Sequence, residues 1–282
     1  MDKQEFRKRA HQLVDWMADY LEEKEKYPVT PNTEPKTIYN QLPKNAPEKG
    51  ESFDQIFEDF EKIILPGMTH WQHPAFFGYF PANNSEPSIL AEMLMSTLGA
   101  QCMSWLTSPA ATELEERVCD WLRDAKGIDS SWKGVIHDTA STATLSAILT
   151  AREKASHYQI NEKGFVGDKV FRVYSSSHVH SSIDKAIKIA GLGVQNLVRI
   201  PVNQEFAMIP EELEKAIVED LKNGFYPLCV VSALGTTSST AVDPIDEISQ
   251  ITQKHGLWHH IDAAFAGTAL ILPEYQCLVQ LY

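Results

Sequence analysis

Four short polar strings carry the chemistry this sequence could perform: Thr139-Ala140-Ser141, His178-Val179-His180, Gly235-Thr236-Thr237 and Asp262-Ala263-Ala264. The last one follows a strand-like run, Leu257 to Ile261, and sets one carboxylate ahead of two very small side chains. Such a carboxylate can pair with the ring N–H of a flat, cationic heterocycle, and an alanine lets the ring lie close. Alone, Asp-Ala-Ala is a weak signal, because it also arises by chance at strand ends. Thr139, Ala140 and Ser141 open an expected helix, whose unpaired N–H groups and positive dipole end suit a phosphate. The bland alternative is that Ser141 merely caps that helix. Neither a G-x-G-x-x-G nor a Gly-Lys-Ser string accompanies it.

His178 and His180 can be surface residues or metal ligands. A metal asks for further carboxylate or histidine partners, which the segment lacks, so no metal is expected. His180 can instead lie flat on a planar cofactor. Gly235 to Thr240 is either an ordinary hydroxyl-rich turn or a loop that brings Thr237 to the same place. Position joins the four. Each string directly follows an expected strand: Gly134–His137, Lys169–Tyr174, Pro227–Ala233 and Leu257–Ile261. A parallel sheet would gather all four at its C-terminal edge, where open α/β sheets bind ligands. Pyridoxal phosphate is the cofactor that this set of groups suits.

The elements that must position them follow from the pattern. From about Pro109 helices alternate with short apolar strands: helices from Thr112 (capped with Glu115) to Gly127, Ser141–Glu153, Ile183–Ala190, Pro210–Leu221 and Pro244–His255, with a further strand Asn196–Ile200. The class is α/β, with a mostly parallel sheet covered on both faces. Ahead of it, Phe6, Ala10, Leu13, Val14, Met17, Ala18 and Leu21 stripe a helix over residues 4–23. Five prolines from Pro28 to Pro47 mark an extended arm, and Ser52 with Gln55 forms a capping box before a second helix. Two helices so joined are not expected to bury their stripes on each other efficiently; the main domain or a second subunit would cover them. The expected division is a helical dimerisation segment over 1–80 and a large cofactor-binding domain over 81–282.

Composition excludes several classes. The 282 residues are 43% hydrophobic and 22% charged, as in ordinary globular chains. Net charge is −13 with no basic run, which argues against nucleic acid as a partner. The N-terminus lacks the apolar core of a signal peptide and no segment reaches transmembrane length, so no membrane partner is expected. Cys102, Cys119, Cys229 and Cys277 are scattered, which reads as reduced thiols in a cytoplasmic protein.

Two longer strings are unusual: Trp71-Gln72-His73-Pro74-Ala75-Phe76-Phe77-Gly78-Tyr79-Phe80-Pro81 and Trp105-Leu106-Thr107-Ser108-Pro109-Ala110-Ala111-Thr112-Glu113-Leu114-Glu115. With the four polar strings, they make the chain resemble the group II pyridoxal-phosphate decarboxylases, which include aromatic-L-amino-acid, tyrosine and histidine decarboxylases. The resemblance spans almost the whole chain. It implies the aspartate-aminotransferase-like fold (fold-type I), a homodimer, and decarboxylation of an L-amino acid, aromatic by preference, to the amine and carbon dioxide. Residue by residue, it implies phosphate binding by Thr139, Ala140 and Ser141, His180 over the ring face, and Thr237 beside the cofactor. Asp262 would pair with the ring nitrogen and Ala264 would pack on the opposite face, His180 and Asp262 being the catalytic pair. It also implies substrate contacts from Trp71, Tyr79, Phe80 and Pro81; for Phe76 and Phe77 plain hydrophobic core is the bland alternative. Gln101 and Met103 stand at pocket positions that aromatic-amino-acid enzymes fill with bulkier apolar groups, which leaves the choice of amino acid open.

Members of that family hold the cofactor covalently through a lysine in an Asn-Pro-His-Lys-like motif after the Asp-Ala-Ala string. Residues 263–282 contain no lysine. The expectation is therefore of a fold incomplete at its C-terminus, ending before that lysine, with little activity in residues 1–282 alone. The rival readings are another fold-type I enzyme, such as an aminotransferase, and a non-catalytic remnant or dimer partner.

Overall fold

A computed structural model describes residues 1–80 and 84–278. The chain divides into two compact units, Met1–Ala100 and Gln101–Tyr282.

The first unit is helical. Helix α1 spans Lys3–Glu22, with the Asp2 carboxylate accepting from the Gln4 and Glu5 amides. The short α2 (Thr37–Gln41) follows within the proline-rich arm. Helix α3 (Phe53–Asp59) starts at the expected capping box of Ser52 and Gln55 and continues as a π turn, Phe60–Ile64. Helices α1 and α3 do touch, over part of a face. Trp16 meets Phe57 and Phe60 edge-on, at 6.2 and 5.2 Å between ring centres. The Arg9 guanidinium grips both oxygens of Asp54. Trp16, which lies outside the predicted stripe, supplies a large ring for this contact. Coverage is still partial: no α1 residue is fully buried, and Phe6 stays 61% exposed.

Helix α4 (Glu86–Leu98) was not anticipated. Ser85 caps it through the Ser88 amide, and its residues are good helix formers, but apolar groups lie all around it. Without a polar face there is no period to read. Residues 71–80 form turns, with His73 N–H donating to the His70 carbonyl and Phe76 N–H to that of His73. No neighbouring strand offers them a ladder among the described residues, and Pro81 lies outside the described residues.

The second unit holds the sheet. Helix α5 spans Pro109–Ala125, α6 Ala140–Ala155, and α7 Gln159–Lys163. Then come β1 (Phe171–Ser176), α8 (Ser182–Ile189), β2 (Leu197–Ile200), α9 (Pro210–Lys222), β3 (Tyr226–Ala233), α10 (Ile245–His255) and β4 (Trp258–Asp262). All pairs are parallel, in the order β2-β1-β3-β4. Strand alternation splits the core into two layers. Val173 and Cys229 face Ile148 of α6 and Ile183 and Ile187 of α8, all at 0% exposure. Tyr174 and Val230 face Leu213 and Ile217 of α9 and Ile248 of α10, also at 0%. Each such side chain contributes about 1.5–3 kcal/mol relative to an exposed one. The expected α/β class thus holds, with helices on both faces.

Two local expectations fail in this unit. Gly134–His137 is not a strand: the Ile136 N–H goes to the Glu115 carboxylate, at 2.8 Å, rather than to a neighbouring strand. That same contact removes Glu115 from any capping role. Helix α5 begins earlier than expected, at Pro109, and the Thr112 hydroxyl bonds back to the Ser108 carbonyl.

Candidate active site

Strand order places the site. From β1 the chain moves to β2 on one side, then crosses to β3 and β4 on the other. The loops leaving β1 and β3 therefore part at the C-terminal edge, and that parting is the crevice where open parallel sheets bind ligands. His180 lies on the loop after β1 and Thr237 on the loop after β3; both are exposed.

Asp262 ends β4, paired in register with Ala233 of β3, and its carbonyl accepts the Leu234 N–H at 2.9 Å. Its carboxylate accepts the Ala264 N–H at 3.1 Å, so the acid is held by the first turn of the chain beyond the strand. Two residues earlier, His260 meets the Thr144 hydroxyl of α6 at 3.2 Å. Strand period puts Asp262 on that same α6 face. Since Thr144 is only one turn into α6, the N-terminus of that helix stands at the edge that carries Asp262.

Thr139 is the N-cap of α6: its hydroxyl accepts the Thr142 N–H at 3.2 Å, so Ser141 is not the cap. The amides of Ala140 and Ser141 precede the first intrahelical acceptor and are the open donors of this terminus. Asp138, which sequence reasoning passed over, shares it. Bonds from the Thr142 hydroxyl, and then from the Thr139 amide, hold its carboxyl below the usual range.

The loop after β3 is tightly constrained. Gly235 has φ +86°, and a Cβ there would stand 2.8 Å from Phe265 and 3.0 Å from Ala266. Only glycine lets the two loops approach so closely. The Thr236 hydroxyl is spent within the loop, on Ser239 and the Ala241 amide. Asp243 anchors the loop's base: its carboxylate accepts the Met208 and Ala233 amides, each at 2.7 Å. Burial raises its pKa despite those bonds. The only sequence signal for it was an Asp-Pro step, which reads as a plain helix start.

On the opposite face of β4, His259 bonds Ser232 at 2.7 Å and Ser249 of α10 at 3.0 Å. Burial pushes its pKa down to about 4, so the ring is neutral at ordinary pH. Burial lowers that of His260 too, against a smaller opposing pull from Asp262.

A cavity of about 840 Å³ flanks β4, lined among others by Trp132, Lys154, Trp258 and Leu270. Ser141, His180, Thr237 and Asp262 are not part of its wall. His180, Thr237 and Asp262 follow β1, β3 and the end of β4 at the C-terminal side of the sheet, and Ser141 lies in the first turn of α6. Of the expected substrate contacts, Trp71 and Tyr79 stack at 5.8 Å within the first unit, and Tyr79 and Phe80 are 80% and 52% exposed. Gln101 and Met103 lie exposed in the second unit.

Residues 35–280 match the model of the pyridoxal-dependent decarboxylase conserved domain. The chain belongs to this family. A phenylacetaldehyde synthase of Petunia hybrida is 41% identical over 98% of the chain and 55% of its own length. Tryptophan decarboxylase 2 of Oryza sativa subsp. japonica is 40% identical, over 98% and 56%. The chain therefore spans about half the length of the curated relatives it matches. Among solved structures, Catharanthus roseus tryptophan decarboxylase in complex with L-tryptophan superposes with a TM-score of 0.92 at 38% identity, over 99% of this chain and 60% of that one. The fold is accordingly that of fold-type I pyridoxal-phosphate enzymes, and the family's members are carboxy-lyases.

Proposed function

We propose that the intact protein decarboxylates an aromatic L-amino acid with pyridoxal phosphate held at the C-terminal edge of the β1–β4 sheet. One observation carries this reading: Asp262 ends β4 two residues beyond His260, which meets Thr144 in the N-terminal part of α6. The donor set fits the cofactor. Ala140 and Ser141 amides, with the α6 dipole, offer a phosphate seat, and the Thr139 hydroxyl supports it by ordering the turn. Asp138 already takes part of that terminus, so the two open amides bear most of the anion. Small residues at Ala263 and Ala264 leave room for a flat ring, and Gly235 admits the second loop.

When bound, pyridoxal phosphate supplies an electron-poor ring that accepts the electron pair released as carbon dioxide leaves. Asp262 holds a proton on the ring nitrogen, because a carboxylate favours the cationic form beside it. His180 would cover one face, Ala264 would pack on the other, and Thr237 would lie beside the cofactor. For the substrate's side chain the reading names Trp71, Tyr79 and Phe80, whose flat apolar surfaces suit an aromatic group; Gln101 and Met103 tune the choice of amino acid.

The reading includes a homodimer. Helix α4 supports it, with Leu90, Leu94 and Leu98 between 55% and 79% exposed, since a soluble chain seldom leaves so apolar a helix in water. It also includes a cytoplasmic location, in keeping with four free cysteines.

The test is turnover by the intact protein with saturating cofactor and tryptophan, tyrosine, phenylalanine, dopa, histidine or glutamate. Carbon dioxide with the matching aromatic amine is the expected result. Release of the aldehyde in place of the amine would align the protein with relatives such as the petunia enzyme. A clear preference for glutamate would overturn the aromatic reading.

A further inference from the structure

The His180 ring is held by its own helix. Nδ1 receives the Ser182 backbone N–H at 3.2 Å and lies 3.0 Å from the Ser182 hydroxyl. A nitrogen that accepts an amide N–H carries no proton of its own. The neutral ring therefore has its hydrogen on Nε2, an assignment made from the bonding pattern. Ser182 is 4% exposed and begins α8, so the helix start holds both its amide and its hydroxyl beside the ring.

The loop that bears His180 is pinned at both ends. The His178 N–H donates to the Ser176 hydroxyl at 3.3 Å, and the Ile183 N–H to the His180 carbonyl at 3.2 Å. Arg199 of β2 ties the end of β1 to the first turn of α8. It bonds the Ser176 carbonyl at 3.3 Å and both oxygens of Asp184 at 2.6 and 2.7 Å. An exposed histidine on a hydroxyl-rich loop would ordinarily sample several rotamers and both tautomers. Here two independent sets of bonds act against that freedom, one on the ring and one on the backbone.

We propose that Ser182 is a positioning residue that fixes His180 as the Nε2–H tautomer, so that the ring reaches a ligand with its orientation and its remaining donor already set. This rests on the reading of His180 as a cofactor-facing group. Preorganisation of this kind spares a ligand the cost of ordering the side chain. Ser182→Ala removes the hydroxyl and keeps the amide, leaving one weaker restraint on the ring.

The experiment is a long-range proton–nitrogen correlation spectrum of the unliganded chain, labelled at histidine and recorded at about pH 8, above the ordinary histidine pKa. His180→Gln identifies the His180 signal. The expected wild-type pattern is that of a single Nε2–H tautomer. In S182A it shifts towards a tautomer mixture, and pyridoxal phosphate, followed by its absorbance, binds up to about tenfold more weakly. Ser182→Thr restores both. A wild-type Nδ1–H pattern overturns the proposal, whether or not S182A folds, and so does an S182A pattern identical to wild type. Failure of the cofactor reading is a separate result: wild-type chain with the expected tautomer and no cofactor binding.

Discussion

At Asp262 the proposed chemistry rests on a single charge. The carboxylate accepts the Ala264 amide, and its backbone is paired beside Ala233 at the strand end. Asp262→Asn keeps that geometry and removes the charge that favours a protonated ring nitrogen. Loss of one preorganised electrostatic group typically costs a factor of about 100–1,000 in turnover. A drop of that size in kcat of the intact enzyme, with the fold intact by circular dichroism, is expected for D262N. Turnover within a fewfold of wild type would remove Asp262 from the mechanism. Gly235 makes a second residue-scale test. A methyl group there must stand 2.8 Å from Phe265 while the backbone keeps φ +86°. Both costs fall on the contact between the two site loops, and Gly235→Ala should lower unfolding free energy by about 1–3 kcal/mol in urea melts. An unchanged midpoint would mean that the loops part without penalty.

Among the elements, β4 links the core to the site, and its two histidines give stability a pH dependence. His259 moves from an ordinary 6.5 to about 4 on folding. Between those values the unfolded chain binds more protons than the folded one, so stability falls as pH falls through that window. The change is on the order of 3 kcal/mol for His259, and His260 acts in the same direction. Asp243 has the opposite sign: its raised folded-state pKa gives stability that is present in acid and lost as pH rises through that value. Urea melts from pH 8 to 4 should show the loss, and His259→Gln should flatten it while its amide keeps a bond to Ser232 or Ser249. An identical acid limb in H259Q would assign the loss elsewhere. The elements also mark how far the sequence can be read. Strands β1 to β4 and helices α6 and α8 to α10 were legible because each buries a clear stripe and is bounded by Gly, Pro or a polar string. The placement of His180, Thr237 and Asp262 after β1, β3 and β4 was legible too, since parallel topology sets it, whereas Thr139–Ser141 follows no strand and is positioned by α6. Gly134–His137 was misread because its apolar residues imitate a strand, yet pairing, not composition, makes one. Asp243, Asp138 and the Ser182 bond to His180 were invisible, because each depends on contacts that no periodicity encodes.

For the whole molecule, the open question of assembly turns on α4. It has 13 residues and not one is buried. Its charged residues are only Glu86 and Glu92, in a chain whose net charge is −13. Leu94 and Leu98 are 67% and 79% exposed, and Met95 is 48% exposed. A helix of this length is about 20 Å long, and one such pair buries less than the roughly 1,200–2,000 Å² typical of a stable interface. Within the same unit, the open face of α1 around Phe6 and Val14 offers the additional apolar area. A second copy of the chain presents both surfaces at once, and twofold symmetry repeats each contact. The expected outcome is sedimentation as a dimer at micromolar concentration. Because both partners are acidic, salt should tighten that dimer rather than weaken it. Replacing Leu94 and Leu98 together with glutamate adds charge at the most exposed positions of α4, without disturbing any buried residue. The doubly substituted chain should sediment as a monomer that keeps its helical circular dichroism. A wild-type monomer at this concentration, or a dimer untouched by the double substitution, would show that α4 is covered by something other than its own copy.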